Sequence, residues 1–180
     1  MLSFLRAVEQ LQNIPRTGYG NLGVPDPESV SEHCFSVCWY ALLLAEAAGA
    51  DPLRTLRLAL LHDLPESKTG DLAAPAVSAY IGAEAKRQIE IAVLTQISAG
   101  LSLPQQEAQL TLLAELDAGT TLEARLVHDA DKLQMLHRLL IYEKRYRLDS
   151  GEFWTDLESR EWQPVSRRLY EELLAEHNAL

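Results

Sequence analysis

Leu61-His62-Asp63-Leu64-Pro65-Glu66-Ser67-Lys68-Thr69-Gly70-Asp71 places one imidazole and three carboxylates around a proline within eleven residues. The preceding stretch reads as a helix that starts at Pro52, a residue favoured in the first turn, and carries Leu56, Ala59 and Leu60 up to the His-Asp pair. Pro65 disfavours helical geometry at Leu64, so the helix is expected to end near there. Neighbours on a helix diverge by about 100°. His62 and Asp63 can therefore reach one ion only where the helix ends against a cavity, and Pro65 places them at such an end.

Outward from this segment the period stays helical. Residues 2–12 read as a short helix, and a loop rich in glycine, proline and asparagine follows from Asn13 to Pro27. A long helix is expected from about Glu28 to Ala48, closed by Gly49, with His33, Val37, Tyr40 and Leu44 on one face. After a loop from Ser67 to Pro75, further helices are expected at about 83–98, 104–117 and 121–147. Gly151 then separates off a last helical segment, about 161–177 within a C-terminal region of about 152–177. Leucine and alanine dominate, and the β-branched alternation of strands is nearly absent. The expectation is an all-α protein, one domain over 1–180, with its motifs in a core of about 10–145.

Composition narrows the function classes. The chain has 180 residues, 47% hydrophobic and 23% charged, an ordinary globular balance that can bury one core. Lysine and arginine number 16 against 26 acidic residues, a formal charge of −10. Such a chain repels the phosphate backbone of polymeric nucleic acid, whereas a small nucleotide stays open because bound divalent cations can reverse the field locally. Uncharged runs such as Cys34–Ala45 fall short of the roughly 20 residues that cross a bilayer, so no membrane partner is expected. The first residues lack the basic start and apolar stretch of a secretory signal, and the expected location is cytoplasmic. Cys34 and Cys38, four apart on one helix, read as core residues sooner than as a metal or redox pair.

Three further segments complete the chemistry: Ser31-Glu32-His33, Thr69-Gly70-Asp71 and His128-Asp129-Ala130-Asp131. Imidazole nitrogens and carboxylate oxygens from separate helices can close one divalent-metal site. Each has a plainer reading. A single histidine on an apolar face is commonly a hydrogen-bonded core residue, the His-Asp dipeptide occurs twice, and Asp71 could be a helix cap. Glu66 follows His62 by four residues and is the best-placed general base. Arg16, in a weakly charged loop, could grip phosphate in a forked geometry or tie the loop down.

The order His33, then His62-Asp63, then a later aspartate resembles that of the HD-domain metal-dependent phosphohydrolases. The closer resemblance is to the branch that acts as 5′-deoxynucleotidases. Arg16-Thr17-Gly18-Tyr19, Glu28-Ser29-Val30-Ser31-Glu32-His33, His62-Asp63 through Asp71-Leu72, and Asp131-Lys132-Leu133 keep the order and local spacing of that branch over roughly residues 10–145. The resemblance implies an HD-domain helical bundle and hydrolysis of deoxyribonucleoside 5′-monophosphates. It implies that His33, His62, Asp63 and Asp131 ligate the main metal. Glu66 would be the catalytic carboxylate, and Asp71 would contact the sugar hydroxyl or join Glu66 at a second metal. Arg16 would hold the phosphate. Tyr19 stands where the branch often has tryptophan, and its ring would pack on sugar or base. The cofactor is a divalent cation, with manganese, cobalt, magnesium and zinc not distinguished, and a homodimer is compatible with the leucine-rich helices.

Periodicity alone leaves the last ligand open. Leu122, Leu126, Leu133, Leu136 and Leu140 form the richest apolar side of the 121–147 helix, and Asp129 lies nearer that side than Asp131. Val127, Asp131, Gln134 and Met135 form a second, partly apolar side, as on a helix buried nearly all round. The resemblance selects Asp131, with Asp129 left as a supporting or solvated residue. Lys68 and Lys132 read as solvated charges, and His128, His137 and His177 lack a partner pattern. Hydrolysis of another nucleotide or small phosphomonoester, and binding without turnover, are the competing functions.

Overall fold

The computed structural model describes residues 1–73, 77–148 and 150–180. The last two residues of the expected 67–75 loop lie outside them. Ten α-helices make up the described chain, with no strand among the described residues. They are α1 (Leu2–Gln10), α2 (Thr17–Asn21), α3 (Val30–Ala48), α4 (Pro52–Leu61), α5 (Glu66–Thr69), α6 (Ala83–Ser98), α7 (Leu103–Ala118), α8 (Leu122–Tyr146), α9 (Gly151–Glu158) and α10 (Pro164–His177). A 3₁₀ turn, Leu11–Asn13, extends α1, and a π-helical turn, Val77–Ile81, precedes α6.

The helix ends follow local chemistry. The Ser29 side chain accepts from the Glu32 N–H while the Glu32 carboxylate takes the Ser29 N–H, a capping box that starts α3. Gly49 closes α3 at φ 68°, a left-handed conformation that costs glycine little. Asp51 caps α4 through the N–H groups of Leu53 and Arg54.

α8 is the central helix. It packs against α3, α4 and α10, while α3 also packs on α4 and α6 pairs with α7. Leu126, Leu133, Leu136 and Leu140 are buried, and so are Val127, Ala130 and Gln134 on the opposing side. Burial nearly all round thus matches the two apolar sides expected of this stretch. Each such leucine contributes roughly 1.5–3 kcal/mol by leaving water. Among the described residues, no helix is long and apolar enough to cross a membrane.

Three expectations need correction. The 13–27 loop contains α2, whose Tyr19 is buried and whose Thr17 N–H is held by Asp71. The 67–75 loop begins helically, because Ser67, Lys68 and Thr69 belong to α5. The C-terminal region starts with a separate helix, α9, whose Trp154 donates to the buried Glu143 carboxylate at 2.9 Å and stacks on His177.

Candidate metal centre

The centre forms where α3, the end of α4 and the middle of α8 meet. His33, one turn into α3, is fully buried. Its Nδ1 lies 2.6 Å from Gln134 Oε1, and the Gln134 amide nitrogen lies 3.1 and 3.3 Å from the two Glu28 carboxylate oxygens. His62 sits in the turn that ends α4, with Nδ1 2.6 Å from the Ala59 carbonyl oxygen. Both partners are acceptors, so both Nδ1 atoms donate, and in the neutral rings both Nε2 atoms carry lone pairs.

Those lone pairs converge. The two Nε2 atoms are 3.3 Å apart, and Asp63 Oδ2 stands 3.4 Å from that of His33 and 3.3 Å from that of His62. Asp131 Oδ1 is 3.2 Å from His33 Nε2. Nitrogen and oxygen ligands about 2.0–2.2 Å from one ion lie about 3.0–3.4 Å from their neighbours on the shell, so the spacing and the donor types fit a divalent cation. The ligand atoms of His33, His62 and Asp63 all lie within 4.8 Å of one another. Asp131 falls outside that set and turns its second oxygen to Lys132 Nζ at 2.9 Å.

A cavity of about 580 Å³ opens beside these groups, lined among others by Arg16, Asp63, Glu66, Asp71, Asp131 and Lys132. Arg16 Nη1 donates to Asp63 Oδ2 at 3.0 Å, and its Nε is 3.7 Å from Asp71 Oδ2. Asp71 clamps the start of α2, since Oδ2 accepts the Thr17 N–H and its carbonyl accepts the Thr17 hydroxyl, each at 2.7 Å. Glu66 Oε2 is buried without a hydrogen-bond partner, a polar atom that a substrate, water or cation would satisfy. Tyr19 also lines the cavity, but its ring is 1% exposed and its hydroxyl donates to the Met135 carbonyl.

The electrostatics follow from crowding. Burial opposes the charge of Arg16, yet Asp63, Asp131 and Asp71 outweigh it and raise the guanidinium above its ordinary value. Burial likewise opposes the charge of Asp63, but His62, Arg16 and His33 hold its carboxyl below the usual range. Asp131 is held well below that range against its burial by Lys132, His33 and His62. Burial lowers His62, with His33 adding to the effect. Glu66 goes the other way: burial first, then repulsion from Asp63 and Asp71, pushes it up to about 10. A divalent cation at this point would favour its ionised form.

The structure therefore brings Asp63, Asp131, Glu66, Asp71 and Arg16 to the wall of one cavity, with His33 and His62 packed behind Asp63. It corrects the reading of Asp129, which is neither solvated nor beside the centre. Asp129 is buried, accepts from Arg160 Nη2 at 3.0 Å and from the Gln163 N–H at 2.9 Å, and so anchors the C-terminal segment. Lys132 keeps a solvated side chain and also pairs with Asp131 on the cavity wall. His128, His137 and His177 bond elsewhere, to the Leu116 carbonyl, Tyr40 and Glu143. Sequence reasoning missed Lys86 and Phe153 as lining residues and Gln134 and Glu28 as partners of His33. Phe153 had no local signal, because α9 carries it to Gly18, where an added Cβ would lie 3.6 Å from its ring. For Gln134 the spacing of three from Asp131 was a usable signal.

Comparison with known proteins identifies the family. A family model described as an HD domain matches residues 8–173. The chain is 34% identical to the 5′-deoxynucleotidase HDDC2 of Bos taurus over 99% of its own length and 86% of that protein's. It is 32% identical to a 5′-deoxynucleotidase of Saccharomyces cerevisiae over 82% of its own length, and spans 62% of that longer relative. Among solved structures, a conserved hypothetical protein from Pyrococcus furiosus superimposes with a TM-score of 0.79 at 30% identity, covering 99% of both chains. From the family match across most of its length and its kinship with these relatives, this chain belongs to the HD-domain family, in the branch of its 5′-deoxynucleotidase relatives.

Proposed function

We propose that the protein is a metal-dependent phosphatase that hydrolyses deoxyribonucleoside 5′-monophosphates to deoxynucleoside and inorganic phosphate. The observation that carries this reading is the meeting, on one cavity, of a converging His33-His62-Asp63 donor set with Arg16 and the unpartnered Glu66 carboxyl. The relatives named 5′-deoxynucleotidases supply the substrate class.

His33, His62, Asp63 and Asp131 hold the cation, for which manganese, cobalt, zinc and magnesium all suit a mixed nitrogen and oxygen set. The bound ion supplies charge neutralisation at phosphate and a more acidic water. Arg16 exchanges part of its carboxylate pairing for phosphate oxygens, which its fork matches. Glu66 takes the proton from the attacking water as general base. Asp71 contacts the sugar hydroxyl or, with Glu66, a second cation, while holding the Arg16–Thr17 segment in place. Phe153 is an apolar wall for sugar and base, and Tyr19, buried behind the cavity, supports that wall instead of packing on the substrate.

The chain acts as one unit over 1–180, in the cytoplasm. It pairs as a homodimer through the exposed Phe35, Trp39 and Leu43, which follow one another at intervals of four on α3. Replacing Glu66 by alanine is expected to abolish phosphate release and largely spare metal content. Full activity in that variant would remove Glu66 from the mechanism. Pyrophosphate as the product from any nucleotide would replace the reaction class.

A further inference from the structure

α8 faces the His33 ring at both nitrogens. Asp131 Oδ1 stands 3.2 Å from Nε2, and Gln134 Oε1, one turn further along the same helix, stands 2.6 Å from Nδ1. For Nε2 to ligate a cation, Nδ1 must carry the proton, and the group facing Nδ1 must be an acceptor. Gln134 can face it either way, because an amide rotated by 180° presents a donor in place of an acceptor.

Glu28 removes that freedom. Its carboxylate accepts only, and it lies 3.1 Å from the Gln134 amide nitrogen. Rotating the amide would set its oxygen against the Glu28 carboxylate and its NH2 against His33, with all three residues buried. Glu28 is itself held fast. Arg138 Nε ion-pairs with it at 3.1 Å, its N–H donates to Tyr142 Oη at 2.8 Å, and its carbonyl accepts the Arg16 N–H at 2.9 Å. His62 differs in kind, because a backbone carbonyl, that of Ala59, sets its tautomer and no side chain is needed.

We propose that Gln134, oriented by Glu28, is a positioning residue that sets the tautomer of His33 and thereby the metal affinity of the centre. This rests on the reading of His33 as a ligand, but not on the identity of the substrate.

The test compares wild type with Gln134→Met, which keeps the volume and loses the acceptor, and with Gln134→Glu, which restores an acceptor and can share one proton with Glu28. In chelator-treated protein, imidazole nitrogen NMR is expected to show Nδ1–H at both His33 and His62 in wild type. Gln134→Met should populate Nε2–H at His33 alone, and manganese affinity should fall by about 10–100-fold. Gln134→Glu should recover most of that affinity. Should Gln134→Met fold poorly, Glu28→Gln serves as the second variant: it frees the amide to rotate and should give mixed His33 tautomers with weaker binding. An unchanged His33 tautomer in Gln134→Met and Glu28→Gln, or equal affinity losses in the methionine and glutamate variants, would overturn the proposal. Normal manganese binding without turnover of any nucleotide would instead sink the phosphatase reading and leave this inference standing.

Discussion

The Nε2 atoms of His33 and His62 face each other across 3.3 Å while both Nδ1 atoms are committed to acceptors. Two lone pairs and the Asp63 carboxylate thus point at one spot. Only positive charge relieves that arrangement, as a cation or as an added proton.

Cation binding should therefore stabilise the fold measurably. At a free concentration one hundred times the Kd the gain is about 2.7 kcal/mol. For a chain of this length that corresponds to a rise in Tm of roughly 5–10 °C. Thermal melts of chelated and manganese-loaded protein measure it, and coincident melts would argue against a folded-state metal site.

Asp129 and Asp131, two residues apart, should fail in different ways. Asp129→Ala strands the Gln163 N–H and Arg160 and should cost about 2–3 kcal/mol in denaturant unfolding, with metal binding retained. Asp131→Asn should abolish tight metal binding. Of the partners of Asp131, Lys132 is 37% exposed and contributes little to the stability of chelated protein. The reverse pattern would exchange the two roles.

Glu66 gives the metal-free protein a pH dependence of definite sign. Its unfolded carboxyl ionises near 4.5, but the folded one holds its proton up to about 10. The folded state then binds more protons across that window, so stability is full below about 4.5 and is lost as pH rises toward 10. Glu66→Gln removes this loss. Chelated variant and wild type should diverge by roughly 1 kcal/mol per pH unit between pH 7 and 9, the variant being the more stable. Parallel pH profiles would show that Glu66 is ionised in the folded apoprotein.

Burial lifts the Cys34 thiol far out of the ordinary thiol range and the Cys38 thiol to about 11. Both should react with a disulfide reagent at pH 7 far more slowly than in denaturant, because the thiolate is the nucleophile. Rapid labelling of folded protein would contradict their reading as core residues.

What the sequence made legible was local. Ser29 and Glu32 start α3, Gly49 ends it, and Pro65 stops the helix close behind His62-Asp63, with α4 ending at Leu61. These signals rest on capping and on φ restriction, which need no distant partner. The remainder depended on partners far along the chain. α2 contains Gly18 and Gly20, poor helix formers, and it is held by Asp71 and by the burial of Tyr19. Asp129 is explained by Arg160, 31 residues later, and the amide orientation of Gln134 by Glu28, 106 residues earlier.

The central claim is that this site hydrolyses deoxyribonucleoside monophosphates with a bound cation. The most direct measurement is phosphate release by chelated protein from paired deoxy- and ribonucleoside 5′-monophosphates, with manganese, cobalt, magnesium or zinc restored singly. Ion-restored release from the deoxy forms, with little from the ribo forms, is the expected result. Equal release from both sets would contradict the sugar selectivity, and no release with any ion would contradict the claim itself.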